Sequence, residues 1–206
     1  LGADSNALGC VRELRERVAA FRGLPRVKVP PRFAAELRPY QKRGLDFLAY
    51  ASSLGIGCVL ADDMGLGKTV QALAWLLWLR ERTPDLGPAL VVCPASVVHN
   101  WAREAEKFAP GLRVALLTSG AKRHALLAEA ESHDLLVTNY ALLRRDFESW
   151  RKVPLGVAIL DEAQNIKNPD AAVSRAALAL EARHRLALTG TPLENRALDL
   201  WSIMAF

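Results

Sequence analysis

An apolar run, Ile56–Ala61, leads into Asp62-Asp63-Met64-Gly65-Leu66-Gly67-Lys68-Thr69, and an apolar helical pattern, Val70–Arg82, follows at once. Strand, glycine turn, Lys-Thr and helix in that order form the layout of a phosphate-binding loop. Glycines let a backbone curl until its N–H groups point at an anion. The N-terminus of the following helix adds partial positive charge. On this reading Asp63, Met64, Gly65, Leu66, Gly67, Lys68 and Thr69 wrap a nucleoside triphosphate. Lys68 reaches the β- and γ-phosphates, and the Thr69 hydroxyl ligates Mg2+. The generic pattern has a glycine where this chain has Asp62. The competing reading is a glycine turn that precedes Lys-Thr by chance.

A second apolar run, Val157–Leu160, ends in Asp161-Glu162-Ala163-Gln164. A carboxylate at the carboxyl end of a strand can hold the water shell of Mg2+, and an adjacent glutamate can orient and deprotonate an attacking water. Alone, Asp-Glu after a strand more often caps the next helix or sits in solvent. Paired with a Gly-Lys-Thr loop on another strand, it points to nucleotide hydrolysis. Both motifs fall beyond strand carboxyl ends, where open parallel sheets bind their ligands.

Strand patterns at Ile56–Ala61, Leu90–Cys93, Val114–Leu117, Leu135–Thr138, Val157–Leu160 and Leu186–Thr189 alternate with helical ones. The helical stretches lie near Val70–Arg82, Asn100–Phe108, Lys122–Glu131, Leu142–Trp150 and Ala171–Glu181. Such alternation predicts an α/β fold, a mostly parallel sheet with helices on both faces. Upstream, Val11, Leu14, Val18 and Phe21 repeat at helical spacing, and Pro25, Pro30 and Pro31 mark a connection. The expected division is an amphipathic helix with a linker over 1–30 and one lobe over 31–206. With 206 residues, 51% of them hydrophobic, the chain can build one full core but is short for two. A fresh helical pattern at Leu198–Phe206 suggests a piece of something longer.

Several classes recede on composition. Ala72–Leu79, the longest apolar run, is too short for a bilayer and reads as a buried helix, so no membrane role is expected. There is no signal-peptide layout, and Cys10, Cys58 and Cys93 lack metal or redox spacing, which suits a reducing cytoplasm. A net charge of +5 permits a polyanionic partner without requiring one. Trp75, Trp78 and Trp101 lie in helical stretches and read as core or interface, not base-stacking platforms. Abundant Ala, Leu and Arg hint at a GC-rich, bacterial genome.

Further motifs fall in a fixed order. Leu37-Arg38-Pro39-Tyr40-Gln41-Lys42-Arg43-Gly44 opens the series, and Val92-Cys93-Pro94-Ala95-Ser96 to Trp101 follows the phosphate loop. Val137-Thr138-Asn139-Tyr140, then the Asp161 stretch, then Leu188-Thr189-Gly190-Thr191-Pro192 complete it. From about Phe33 to Phe206 the chain resembles the first RecA-like lobe of Swi/Snf-type, helicase-like ATPases of helicase superfamily two. That family tolerates the acidic residue at Asp62.

The resemblance implies ATP and Mg2+, with Gln41 reading adenine, Lys68, Asp161 and Glu162 catalytic, and Thr69 and Asp161 at the metal. It assigns Pro94, Ser96 and Thr138 to a nucleic-acid backbone, and Gln164, Thr189, Gly190 and Thr191 to coupling. It further implies a second RecA-like lobe that this chain lacks, weak activity of the lobe alone, and translocation on double-stranded DNA without regard to sequence. An unspecified protein–nucleic acid complex would be remodelled. Gln164 stands where most members carry His, and an amide can both donate and accept toward Thr189. On the residues alone, Gln41 could be a surface helix residue, Ser96 a helix cap, and Thr189 with Thr191 a turn stopped by Pro192. A non-hydrolysing nucleotide or DNA docking module, an RNA helicase and a phosphate-loop kinase stay open, although a kinase leaves Gln41 and Thr189-Gly190-Thr191 without a role.

Overall fold

Short, nearly continuous apolar runs, the pattern of strands covered on both faces, build the centre of this protein. In the computed structural model, which describes residues 12, 15, 16, 18, 19, 21–63, 65–120, 122–190 and 197–206 (197–200 by backbone alone), they form one six-stranded sheet. The strands are β1 (Cys58–Leu60), β2 (Ala89–Cys93), β3 (Val114–Leu117), β4 (Leu135–Asn139), β5 (Leu155–Leu160) and β6 (Ala182–Leu188). Their order is β1-β6-β5-β2-β4-β3, and every pairing is parallel. All carboxyl ends therefore lie on one rim.

From residue 39 onward eight α-helices accompany the sheet among the described residues: α1 (Pro39–Ser53), α2 (Lys68–Arg82), α3 (Val98–Phe108), α4 (Lys122–Ala128), α5 (Tyr140–Arg145), α6 (Phe147–Trp150), α7 (Ala172–Leu178) and α8 (Ala197–Met204). Side chains alternate across a strand, so each strand feeds two cores. Ala89, Val91, Cys93, Leu135, Val137, Val157, Ile159, Leu186 and Leu188 pack with α1, α2 and α3 on one face. Leu90, Val92, Leu136, Ala158, Leu160 and Ala187 pack on the other face against residues of α5 to α8. Helices thus cover both faces, as the alternation predicted. Helix α2 is buried continuously from Gln71 to Leu79, which accounts for its apolar run. No helix among the described residues is long and apolar enough to cross a membrane.

The differences from the sequence expectation have local causes. Helix α1 was legible only as a motif, because its apolar and charged positions do not form a sharp stripe. The 142–150 stretch is two helices parted at Asp146, whose carboxylate pairs with the Arg123 guanidinium 2.6 Å away, both side chains only 6% exposed. Strand β1 is shorter than its apolar run, and Ile56 is exposed. Strand β6 begins at Ala182 and ends at Leu188, leaving Thr189 just beyond it.

Val11, Leu14 and Cys10 lie outside the described residues. Residues 12, 15, 16, 18 and 19 are helical, Val18 and Phe21 are exposed, and the Phe21 ring meets Tyr50 at 5.2 Å. Cys58 and Cys93 are buried core residues, and burial pushes their thiols up to about 11 and about 12.

Candidate nucleotide site

Two glycines shape the loop after β1. Gly65 and Gly67 sit in the left-handed region, at φ 82° and 77°. Gly67 is the N-cap of α2, and no side chain caps that helix, so its first N–H groups are left to the loop. A Cβ on Gly65 would project into open space, whereas one on Gly67 would meet Gln41 Nε2 at 2.6 Å. Gly67 is thus required for its backbone angle and for the approach of Gln41.

The opening motif holds this loop from α1. Tyr40 Oη and Gln41 Nε2 both donate to the Leu66 carbonyl, at 3.0 and 3.1 Å. Gln41 Oε1 accepts the Arg38 N–H at 3.0 Å, and the residue is 8% exposed. Gln41 is therefore not a surface helix residue. Its amide keeps a second N–H and a second lone pair for a ligand.

Lys68 does not extend into solvent: its half-buried ammonium donates to the Asp62 and Asp63 carbonyls, at 2.7 and 3.1 Å. Asp62, the departure from the generic pattern, accepts a 2.8 Å bond from Gln71 Nε2 on α2. Met64 lies outside the described residues.

The carboxylates sit on the same rim. The Asp161 N–H donates to the Val92 carbonyl at 2.8 Å, continuing the β5–β2 ladder, and its own carbonyl accepts from Tyr140 Oη at 2.8 Å. Its Oδ2 accepts the Trp101 indole N–H at 2.8 Å, and its Oδ1 accepts the Glu162 N–H at 2.9 Å. Burial raises the Asp161 carboxyl above its ordinary range, and the Glu162 charge adds to this, while the Trp101 hydrogen bond and the Lys68 charge oppose it. Glu162 has φ 50°, the one positive value among described non-glycine residues. Such strain persists where surrounding contacts hold it, and it gathers at functional sites.

From Glu162 a chain of side chains crosses to the next strand. Glu162 Oε2 accepts from Gln164 Nε2 at 2.6 Å, and Gln164 Oε1 accepts from Thr189 Oγ1 at 3.0 Å. Thr189 is fully buried, and its N–H donates to the Leu60 carbonyl at 3.1 Å. The relay therefore links the ends of β5, β6 and β1. Gly190 follows, and Thr191 lies outside the described residues.

The residues expected at a nucleic-acid backbone divide. Pro94 is half-buried and Ser96 is exposed, on a single helical turn, Ala95–Val97, before α3. Ser96 is not the α3 cap, which is Val97 without a side-chain bond. Thr138 is a correction. It is fully buried between β2 and β3, and its hydroxyl donates to the Leu117 carbonyl at 3.0 Å. It has neither the exposure nor a free proton for a phosphate. The neighbouring Asn139 caps α5 by accepting the Leu142 N–H.

Tyr40, Gln71 and Trp101 were not singled out as site residues by sequence reasoning. A tyrosine beside Gln41 and a polar residue inside the apolar α2 run were the available signals; Trp101 carried none beyond its place in a motif.

The donor set fits a polyphosphate: one ammonium, an uncapped helix N-terminus and the Thr69 hydroxyl in the first turn of α2. The oxygens of Thr69 and Asp161 suit a hard cation. Among the described residues no group of three or more His, Cys, Asp or Glu could hold a metal alone. Mg2+ needs no such group, since it binds through one or two carboxylates, waters and substrate phosphates.

The model of the SNF2-related domain matches residues 40–206. The chain belongs to the SNF2-related family. Among this SNF2-related chain's relatives, YwqA of Bacillus subtilis is 44% identical over 199 residues, which are 95% of this chain and 22% of YwqA. Helicase SWR1 of Debaryomyces hansenii is 40% identical over 184 residues, 87% of this chain and 11% of that protein. The Sulfolobus solfataricus SWI2/SNF2 ATPase core in complex with dsDNA superposes with a TM-score of 0.79 at 43% identity, covering 87% of this chain and 37% of that one. The SNF2-related chain thus spans less than a quarter of these curated relatives. Its six-stranded parallel sheet with flanking helices matches a RecA-like lobe of that ATPase core.

Proposed function

We propose that this chain is the ATP-binding lobe of a DNA-dependent ATPase that translocates on double-stranded DNA and remodels protein–nucleic acid complexes. The observation that carries the reading is the relay from Glu162 through Gln164 to Thr189, which ends beside the phosphate loop. It ties a candidate general base to the neighbouring strand end.

In this reading Lys68 exchanges its two loop carbonyls for the β- and γ-phosphates of ATP. Gln41 reads the adenine edge with the donor and acceptor it has left. Thr69 and Asp161 hold Mg2+, which supplies charge neutralisation at the phosphates when bound. Glu162 orients a water and takes its proton, and Gln164 fixes the carboxylate for that task. Thr189 and Gly190 pass changes at Glu162 along β6. Ser96, exposed on its turn, and the backbone around Pro94 offer donors suited to phosphates and not to base edges, so DNA binding is insensitive to sequence. A second RecA-like lobe completes the site, because translocation needs two bodies that close and open around nucleotide.

The support is the family membership and the relatives' names, among them the chromatin-remodeling ATPase INO80 of Arabidopsis thaliana, 38% identical over 191 residues. The test is orthophosphate release by the complete protein with double-stranded DNA, single-stranded DNA and RNA side by side. Double-stranded DNA should stimulate most, and its binding should weaken linearly in log affinity against log salt. Stimulation by RNA alone would indicate an RNA helicase, and absence of hydrolysis a docking module. A phosphorylated acceptor would indicate a kinase.

A further inference from the structure

Trp101 lies on α3, 60 residues before Asp161 in the chain, and is 1% exposed. A buried indole N–H seeks an acceptor, and this one finds the carboxylate proposed to hold Mg2+, at 2.8 Å. The other carboxylate oxygen is held by the Glu162 N–H, so Trp101 is the side chain that sets the plane of the carboxylate. The ring cannot shift freely, since it is packed within the core that α1, α2 and α3 share. The helix that carries it begins directly after the Ala95–Val97 turn on which Ser96 is exposed. The arrangement has the form of an outer-sphere partner of a metal ligand, a hydrogen bond that orients a ligand without touching the metal.

We infer that Trp101 is a positioning residue for Mg2+: its indole N–H fixes the Asp161 carboxylate in the orientation that binds the ion with ATP. This rests on the reading of Asp161 given above. Trp75 provides a matched control. It too is 1% exposed, and its indole donates at 2.9 Å, but to Ser52 Oγ, a residue at the end of α1. A loss of core packing or of a buried indole hydrogen bond falls on both tryptophans. A loss of Asp161 orientation falls on Trp101 alone.

The experiment is equilibrium binding of a fluorescent ATP analogue to the complete protein, with Mg2+ titrated in and with chelator present, for wild type, Trp101→Phe and Trp75→Phe. Wild type should bind more tightly with Mg2+ than with chelator. Trp101→Phe should need about 10-fold more Mg2+, the lower end of the usual effect of losing such a partner, while its affinity in chelator stays near wild type. Trp75→Phe should keep the wild-type Mg2+ requirement. Equal Mg2+ requirements for Trp101→Phe and wild type overturn the inference. If wild-type affinity ignores Mg2+, the reading of Asp161 itself fails, and that failure is distinguishable because it appears without any substitution.

Should Trp101→Phe not fold, indole 15N–1H resonances of the wild-type protein decide. One resonance should move when Mg2+ is added at fixed ATP, and it should persist in Trp75→Phe. No moving resonance, or one lost in Trp75→Phe, overturns the inference.

Discussion

Gly44→Ala should destabilise this protein, although Gly to Ala inside a helix ordinarily does the reverse. Gly44 lies within α1, and a Cβ built on it would stand 1.8 Å from Gln71 Oε1 and 3.0 Å from Gln71 Cδ. The amide would have to retreat by more than about 1 Å to reach an ordinary contact. Gln71 is fully buried, and its Nε2 is bonded to the Asp62 carboxylate at 2.8 Å, so retreat breaks that bond. Helix propensity favours alanine by about 1 kcal/mol. Against it stand about 1.5–3 kcal/mol for a hydrogen bond to a charged group and about 1–3 kcal/mol for overpacking. The net is a loss of about 1.5–5 kcal/mol, or about 3–20 °C in melting temperature for a domain of this size. Thermal unfolding followed by circular dichroism measures it. In a Gln71→Ala background the clash is gone, and Gly44→Ala should become neutral or stabilising by up to about 1 kcal/mol. A melting temperature unchanged or raised by Gly44→Ala alone would refute the reasoning, because Gln71 would then be free to move.

Glu162→Gln in the complete protein should cut ATP turnover by about 10²-fold or more with ATP affinity nearly kept, since the amide retains the shape but cannot take a proton; rapid-quench turnover and nucleotide titration check the two halves. Gln41→Ala should lower ATP affinity, because the Leu66 carbonyl loses a donor, and should narrow the preference for ATP over GTP, whose edges differ at N6 and O6; competition binding reads the ratio. Asp134→Asn should lower the melting temperature near neutral pH. Burial pushes the Asp134 carboxyl up, but hydrogen bonds from Arg113 and the charges of Arg80 and Arg113 outweigh it and leave it below its usual range. A carboxyl lowered in the folded state stabilises above its unfolded pKa, and that stability is lost as pH falls through the folded value. The gap between wild type and Asp134→Asn should therefore narrow below about pH 4 in a series of thermal melts, and a constant gap would count against the pairing.

What the sequence made legible was what is local in it. The phosphate loop needs eight consecutive residues, and strand, turn and helix around it announce themselves by period and by glycine. The same holds for the carboxylates at the end of β5. Thr138 shows the first limit. A hydroxyl at a strand end reads as surface, but β4 lies between β2 and β3, and only the order of strands reveals that Thr138 is enclosed and bonded to Leu117. Gly44 and Gln71 show the second: a glycine in one helix and a lone polar residue in the apolar run of another stand out singly, but the requirement that joins them appears when the two helices touch.

Gln164 stands between these cases. Its chemistry was legible, since an amide donates and accepts together, and Glu162 is two residues away, but the contact with Thr189 depended on β6 lying beside β5. Once that is known, the choice of residue has a consequence. A neutral imidazole could make the same two bonds, donating to Glu162 and accepting from Thr189, yet protonation would turn its acceptor into a second donor. The amide of Gln164 has no such transition. The relay from Glu162 to Thr189 therefore keeps its polarity across the pH range in which a histidine would lose it.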